Sequence, residues 1–223
     1  YEAIGQMGFK RGNVLEPSCG TGNFFGLIPE ELRGARLYGV ELDSLSARIA
    51  GKLYPSAKIS ATGLEQTSFP DNFFDVVIGN VPFGDYKVHD PEYNRHNFLI
   101  HDYFIAKSID KVRAGGVVAL LTSNGISGGT FDKRDDKVRR YMAERCDLIG
   151  AVRLPDNAFK ASAGTDITTD ILFLQKRTVP RNLTVDTPDW VNVHVVHEHG
   201  HNNESGETRR NVLTLNHYYR EHP

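Results

Sequence analysis

The sequence has little cysteine and no long apolar run. Only Cys19 and Cys146 occur among 223 residues, far apart and without the spacing of metal ligands. This scarcity excludes cysteine-based metal binding and, with no signal peptide, predicts a reducing cytoplasm. No apolar stretch approaches the roughly 20 residues that a membrane helix needs, so no membrane partner is expected.

The sequence also lacks an excess of charge of either sign. Its formal net charge is −2, which excludes the global basic field typical of many nucleic-acid-binding proteins. Any DNA contact must therefore come from local patches or from another part of the protein. The first residue is Tyr1 rather than methionine, so an excerpt from a longer protein is expected.

Short runs rich in Val, Ile and Leu alternate with longer amphipathic stretches, which predicts an α/β fold with a parallel sheet covered by helices. The predicted strands are Asn13–Glu16, Leu37–Glu41, Ala57–Ser60, Asp75–Gly79, Gly116–Thr122, Leu148–Arg153 and Asp170–Gln175. The predicted helices are Gly22–Ile28, Ser44–Leu53, Leu99–Val112 and Lys133–Arg145. The pattern degrades after Lys176, so we expect one catalytic domain over residues 1–178 and a linker with a C-terminal appendage over residues 179–223.

The first motif with chemical content is a glycine loop between a strand and a helix. Its residues are Glu16, Pro17, Ser18, Cys19, Gly20, Thr21, Gly22 and Asn23. The two glycines allow a sharp turn and a close approach to a ligand. No Gly-Lys-Ser/Thr follows and the third glycine of a dinucleotide fingerprint is missing. Glu16 suits the ammonium of a methionine moiety better than a pyrophosphate, although the loop alone is also compatible with a tight structural turn.

Two further carboxylates follow the next strands. Glu41 ends the second strand, where an acidic residue of a doubly wound sheet accepts hydrogen bonds from ribose hydroxyls, and Leu42 adjoins it. The alternative for Glu41 is a solvent-facing strand end, and Asp43 is more simply the cap of the helix at Ser44. Glu65 follows the third strand, and two interpretations are open for it. It either contacts the adenine of a cofactor or is an exposed acidic residue of a loop.

The fourth strand leads directly into Asn80, Val81, Pro82 and Phe83. An adenine amino group is a poor nucleophile because its lone pair is delocalised, so a catalyst needs two hydrogen-bond acceptors to draw the nitrogen toward tetrahedral geometry. The Asn80 side-chain oxygen and the Val81 carbonyl are the predicted acceptors, since Pro82 holds the chain extended. Phe83 offers a ring on which an extruded base stacks. No strong general base is required, because the proton leaves after methyl transfer.

In this order, Glu-Pro-Ser-Cys-Gly-Thr-Gly-Asn, Gly-Val-Glu-Leu-Asp and Asn-Val-Pro-Phe resemble the motifs of N6-adenine DNA methyltransferases over about residues 12–177. The resemblance implies a Rossmann-like, doubly wound, seven-stranded sheet with its last strand antiparallel, S-adenosylmethionine as methyl donor and a flipped adenine in DNA as substrate. It places Glu16, Pro17, Gly20, Gly22 and Glu41 at the cofactor. The chain is also similar to methylase domains inside large helicase-methylase proteins of bacterial mobile elements and phages, which implies helicase or target-recognition domains as partners in the same parent protein.

Three features depart from the family pattern. Val81 replaces the first proline of the usual tetrapeptide, and because that position contributes only its carbonyl, activity is expected to survive. Residues 1–11 do not resemble the aromatic segment with Thr-Pro that the family often has upstream. There is also no room after Lys176 for an ordinary target-recognition domain. DNA-facing candidates are instead the loops after Asn80, Ser123 and Leu154, which carry Lys87, Lys133, Arg134 and Lys160, although each is more often a solvated charge.

The histidines of the tail, His194, His197, His199 and His201, are not interpreted as a metal site, because Val193-His194-Val195 has the alternation of a strand. Other functions remain open. Related tetrapeptides serve enzymes that methylate protein glutamine or RNA guanine, and Phe83 in place of Tyr favours the DNA enzymes. A binding module that merely positions DNA for an attached helicase is the non-enzymatic alternative, and intact Asn80, Pro82 and Phe83 argue against it.

Overall fold

The computed structural model describes residues 1–123, 129–155, 158, 168–202 and 208–222. The helices of the described part are α1 (Glu2–Gln6), α2 (Asn23–Gly26), α3 (Ser44–Leu53), α4 (Ile100–Lys111), α5 (Lys137–Arg145) and α6 (His217–Glu221). The strands are β1 (Asn13–Glu16), β2 (Arg36–Glu41), β3 (Lys58–Ala61), β4 (Phe74–Asn80), β5 (Val112–Ser123), β6 (Cys146–Leu154), β7 (Thr169–Lys176), β8 (Val193–Asn202) and β9 (Thr208–Asn216). The alternation of strands and helices up to Lys176 confirms the predicted α/β class.

The first seven strands form one sheet in the order β3-β2-β1-β4-β5-β7-β6. Neighbours are parallel from β3 through β5, whereas β7 runs antiparallel to both β5 and β6. This confirms the doubly wound sheet with its last strand antiparallel. The strand order reverses between β1 and β4, and a reversal of this kind opens a ligand crevice at the carboxyl ends of the strands.

The core lies on both faces of the sheet, as the alternation of side chains along a strand requires. On one face Leu15, Val77 and Val118 pack with apolar residues of α4 and α5 in the main cluster. On the other face Val14 and Val76 pack with Ile4 of α1. All these strand residues are buried, which explains why the central strands are apolar on both sides rather than alternating.

Two predicted helices begin or end elsewhere than expected. The helix after the glycine loop is the single turn α2, because it begins only after the left-handed Gly22 and is followed closely by Pro29. The helix predicted from Lys133 begins at Lys137, with Asp136 as its N-cap. Residues 130–133 are instead held by buried polar contacts, among them the ion pair of Lys133 with Asp102, which sequence periodicity does not reveal.

The residues after Thr178 pack on the main domain. The two-stranded sheet β8-β9 is followed by α6, and Val191 is fully buried. The ring of Trp190 stacks on Phe131 with centroids 6.1 Å apart, and the Arg153 guanidinium lies 4.0 Å from the ring centroid of Tyr219. The strand predicted around Val193-His194-Val195 is confirmed as β8. The division of the chain at Thr178 remains a prediction.

Asn216 ties this C-terminal part to the domain. It is fully buried, its Nδ2 donates to the carbonyls of Phe131 and Trp190 at 2.8 and 2.9 Å, and its backbone N–H donates to Asp132 Oδ1 at 2.8 Å. We expect Asn216→Ala to lower the free energy of unfolding by about 2–4 kcal/mol, because the buried Phe131 carbonyl and the partly buried Trp190 carbonyl lose their donor. Urea unfolding measures this change.

Leu213→Ala is the matched control for that experiment. Leu213 lies on the same strand, β9, but is 62% exposed, so its truncation is expected to change stability by less than about 0.5 kcal/mol. Equal effects of the two substitutions would contradict the anchoring assigned to Asn216.

Among the residues that the structure describes, no helix combines the length and apolar character that crossing a bilayer requires.

Candidate active site

The sheet brings the three sequence motifs to neighbouring strand ends. Glu41 ends β2, Glu16 ends β1 and Asn80 ends β4, and these strands are adjacent in the order β2-β1-β4. Because all three strands are parallel, their carboxyl ends share one edge of the sheet. The predicted cofactor and catalytic residues therefore lie together at the crevice where the strand order reverses.

The glycine loop between β1 and α2 has the backbone that its sequence predicts. Gly20 and Gly22 have φ of +54° and +89°, in the left-handed region that glycine tolerates. A side chain at Gly22 would meet the Tyr54 ring at 2.5 Å, whereas a Cβ at Gly20 would face open space. The loop is thus closed on its Tyr54 side and open at Gly20, where a ligand can approach the backbone.

Glu41 holds this loop in place. Its two carboxylate oxygens accept hydrogen bonds from the backbone N–H groups of Gly20 and Asp43, each at 2.8 Å. The Cys19 N–H also donates to the Val40 carbonyl at 2.9 Å. Each carboxylate oxygen has a second lone pair, so Glu41 retains acceptor capacity toward hydroxyl groups in the crevice. Asp43 accepts from the Ser46 N–H at 2.8 Å, which confirms it as the cap of α3.

Glu16 is buried, at 2% exposed. Within the described part of the chain, its Oε2 atom has no hydrogen-bond partner and no cation contributes to its electrostatic environment. Burial raises the pKa of Glu16 to about 9, and the nearby Glu41 carboxylate adds to this shift. The Tyr1 hydroxyl is also buried and has no hydrogen-bond partner among the residues that the structure describes, and burial and the nearby Glu16 raise its pKa. A buried carboxyl group in this position fits a cationic group, such as the ammonium of a methionine moiety, whose charge would favour the ionised form of Glu16.

We expect the stability of the protein without cofactor to fall as pH rises, through Glu16. Its pKa is raised from an ordinary 4.5 to about 9, so the contribution of the protonated carboxyl is complete below pH 4.5 and is lost as pH rises through 9. Glu16→Gln removes this titration. The unfolding free energy of the variant relative to wild type should therefore increase with pH, by up to about 1.4 kcal/mol per unit.

Urea unfolding at several pH values tests this expectation. The Glu2→Gln variant serves as the control for the same chemical change at the surface, because Glu2 is exposed on α1. A difference between Glu16→Gln and wild type that is constant with pH would contradict the assignment.

The remaining predicted cofactor residues differ in their environments. Glu65 lies in a short 3-10 turn after β3, and its carboxylate folds over Gly63, where a Cβ would come within 2.1 Å of Oε1. Leu42 is 74% exposed, Asn23 is exposed, and Thr21 is half-buried. Cys19 is buried against Gly39, and burial raises the pKa of its thiol to about 12, so Cys19 packs as an apolar residue.

The tetrapeptide is fixed through its backbone, while the groups predicted to act are free. The Ser18 hydroxyl donates to the Asn80 carbonyl at 2.6 Å, and the Val81 N–H donates to the Leu121 carbonyl at 3.1 Å. The exposed Asn80 side chain and the Val81 carbonyl have no hydrogen-bond partner among the residues that the structure describes. The Asn80 side chain is therefore exposed to an incoming ligand, whereas the Val81 carbonyl belongs to a residue that is only 1% exposed.

The side chains that follow Asn80 divide between core and crevice. Val81 is 1% exposed and belongs to the main core cluster, whereas Pro82 is half-buried and Phe83 is 42% exposed. Valine in place of proline at position 81 is therefore compatible with the fold, because the Val81 side chain packs in the core. Gly79 approaches the glycine loop, since a Cβ there would lie 3.3 Å from Pro17 Cδ.

The cations predicted to face DNA differ in their environments. Lys133 is paired with the buried Asp102 and is not a free phosphate contact, whereas Lys87 and Arg134 are exposed. Lys160, most of the loop after Leu154 and residues 124–128 of the loop after Ser123 lie outside the described residues. In the described part no group of three metal-ligating side chains occurs. His194 instead packs near His217, with ring centroids 5.6 Å apart, and the side chains of His199 and His201 are not described.

Sequence reasoning missed two contributions to this site. It identified Ser18 as a cofactor residue but not as the donor that fixes the Asn80 carbonyl, which requires knowledge of the β1-β4 pairing. It also found in residues 1–11 no resemblance to the family's upstream segment and assigned them no role at the site. The structure folds them into a segment whose Ile4 packs on β1 and β4 and whose Tyr1 lies in the electrostatic neighbourhood of Glu16.

Comparisons with known proteins agree with this geometry. A family model described as N-6 DNA Methylase matches residues 6–221. The defense against restriction protein B of Escherichia phage P1 is 32% identical over 181 residues, which are 79% of this chain and 8% of that protein. The type II methyltransferase M.CvrRI of Paramecium bursaria Chlorella virus XZ-6E is 27% identical over 80% of this chain and 45% of its own length. The chain thus spans less than half the length of these relatives.

Solved structures give the same fold. A chain from a study of complex assembly in a type I R-M system superposes with a TM-score of 0.57 at 18% identity, covering 79% of this chain and 40% of that one. Geranyl diphosphate methyltransferase in complex with GPP and sinefungin superposes with a TM-score of 0.55 at 14% identity. The superposition covers 77% of this chain and 75% of that one. The fold is that of S-adenosylmethionine-dependent methyltransferases.

Proposed function

This chain belongs to the N-6 DNA methylase family, and from that premise we propose that it transfers a methyl group from S-adenosylmethionine to the exocyclic N6 amine of an adenine in DNA. The observation that carries the proposal is a pair of acceptors at the end of β4 without hydrogen-bond partners among the described residues, of which the Asn80 side chain is exposed. The Asn80 side chain and the Val81 carbonyl are unpartnered in the described structure, and they adjoin the strand ends that carry Glu16 and Glu41.

The two acceptors match the two hydrogens of an adenine amino group. When both hydrogens are bound, the nitrogen lone pair is drawn out of conjugation with the ring and becomes a better nucleophile. The Ser18 and Leu121 contacts hold the backbone at Asn80 and Val81, so the acceptors need not reorganise during the reaction. The proton of the methylated amine then passes to solvent, which requires no general base from the chain.

The neighbouring strand ends are suited to the methyl donor. S-adenosylmethionine supplies an electrophilic methyl group on its sulfonium. Glu16 offers the unpaired carboxylate for the ammonium of the methionine moiety, Gly20 leaves open space at the loop, and Glu41 has acceptor capacity for ribose hydroxyls. Glu65 is placed farther along the same edge, after β3, and is assigned to the adenine of the donor.

The substrate polymer is tested by offering DNA, RNA and protein in parallel. Labelled S-adenosylmethionine is incubated with the chain and either unmethylated DNA, transcribed RNA or a protein extract. The proposal predicts label in DNA alone. Label in protein would favour glutamine as the acceptor, label in RNA would favour guanine, and cofactor binding without any transfer would favour a module that only positions DNA.

Sequence recognition and cellular context are part of the same proposal. Because the chain corresponds to 8% of the phage P1 relative, we place DNA-sequence recognition, or an attached helicase, in other parts of a parent protein. A type I methylase subunit of Escherichia coli is also among its relatives, at 25% identity over 74% of this chain. The expected context is therefore DNA modification in a bacterial cytoplasm, in connection with restriction-modification.

A further inference from the structure

Two aromatic rings are exposed at the catalytic edge. Among the phenylalanine, tyrosine and tryptophan side chains that the structure describes, only Phe83 and Tyr86 are exposed, at 42% and 56%. All the others in the described ranges are buried or half-buried, as the hydrophobic effect favours. Both exceptions lie within seven residues of Asn80, in the segment that follows β4.

Tyr86 is held in place rather than loosely attached. Its backbone carbonyl accepts a hydrogen bond from the Ile100 N–H, the first residue of α4, at 2.9 Å. Its ring lies over Gly84, where a Cβ would come within 2.5 Å of the Tyr86 Cε1 atom. A side chain at position 84 would therefore displace this ring from its present position.

The two rings form separate surfaces. No ring contact joins Phe83 to Tyr86 or engages the Tyr86 ring elsewhere in the described structure. The flanking charges are one acid and one base, Asp85 and Lys87, both exposed. Because these two charges nearly cancel, the segment attracts a ligand by ring stacking rather than by electrostatics. Every nucleobase has a π-face, and stacking on an aromatic side chain contributes roughly 1–3 kcal/mol per base.

We propose that Tyr86 is a second stacking platform, which holds the base next to the target adenine on the same DNA strand. This inference rests on the proposed function, in which Phe83 stacks on the target adenine itself. Extruding one base leaves its neighbour with an unstacked face, and the Tyr86 ring covers that face. Stacking of this kind tolerates any base, so Tyr86 contributes to DNA affinity without reading sequence.

Three substitutions of Tyr86 separate stacking from simple packing. Tyr86→Ala removes the ring, Tyr86→Phe keeps its π-face without the hydroxyl, and Tyr86→Leu keeps an apolar side chain without a π-face. Steady-state methylation of sheared, unmethylated plasmid DNA is measured at saturating S-adenosylmethionine. Leu53→Ala is the control, since Leu53 is 60% exposed on α3.

We expect Tyr86→Ala and Tyr86→Leu to raise KM for DNA by roughly 10- to 100-fold, with kcat within about threefold of wild type. Tyr86→Phe and Leu53→Ala should match wild type. Full activity of Tyr86→Leu, or a fall in kcat at constant KM, would overturn the stacking role. Wild-type protein that methylates no DNA would instead refute the proposed function, whereas active wild type with unchanged KM in Tyr86→Ala refutes only this inference.

Discussion

Asn80→Ala is expected to reduce methyl transfer by at least about 100- to 1000-fold, the effect of losing one preorganised polar group at a reacting centre. The affinity for S-adenosylmethionine should stay within about twofold of wild type. The substitution removes the side-chain acceptor but leaves the Asn80 carbonyl bound to Ser18 and the Val81 N–H bound to Leu121. Because Asn80 is exposed, the fold should also be unaffected.

Single-turnover transfer and equilibrium cofactor binding, measured on the same preparation, test this expectation. Asn192→Ala is the matched control, since Asn192 is an exposed asparagine in the C-terminal part of the chain. It should transfer methyl groups at the wild-type rate. If Asn80→Ala also transferred at that rate, the catalytic assignment of the tetrapeptide would be wrong.

Glu41→Ala is expected to weaken binding of S-adenosylmethionine by roughly 10- to 100-fold, the range for losing a hydrogen bond to a charged group. Two effects act in the same direction. The variant loses the acceptor predicted for the ribose hydroxyls, and it releases the Gly20 N–H that holds the glycine loop. At saturating cofactor the rate of transfer should recover most of its wild-type value, because Asn80 and Val81 are unchanged.

Asp43→Ala is the control for this second prediction. Asp43 lies two residues from Glu41 and also accepts a backbone hydrogen bond, but as the cap of α3. Its removal should lower the stability through loss of the helix cap and leave the cofactor Kd unchanged. Isothermal titration gives both Kd values. A Glu41→Ala variant with the Kd of wild type would contradict the cofactor assignment.

The main lines of the fold follow from local patterns in the sequence. The predicted strand Asn13–Glu16 and helix Ser44–Leu53 have the bounds of β1 and α3, because apolar periodicity and the Asp43 cap define them locally. Once parallel strands are expected, Glu16, Glu41 and Asn80 must share one edge of the sheet. The placement of the candidate site was therefore predictable without any knowledge of tertiary contacts.

The features that sequence reasoning missed depend on contacts between distant residues. The late start of α5 accompanies the ion pair between Lys133 and Asp102, and the packing of the C-terminal part relies on Asn216, which contacts residues more than 80 positions away. Tyr1 near Glu16 is a third case. No periodicity or local motif encodes such pairings, since each partner has an ordinary sequence environment.

The most direct test of the account is the identity of the methylated nucleoside. Unmethylated DNA is incubated with S-adenosylmethionine and either the wild-type chain or Asn80→Ala, then digested to nucleosides and separated by chromatography with mass detection. The account predicts N6-methyladenine with the wild type and none above background with the variant. Methylation of cytosine, or N6-methyladenine formed equally by both proteins, would contradict it.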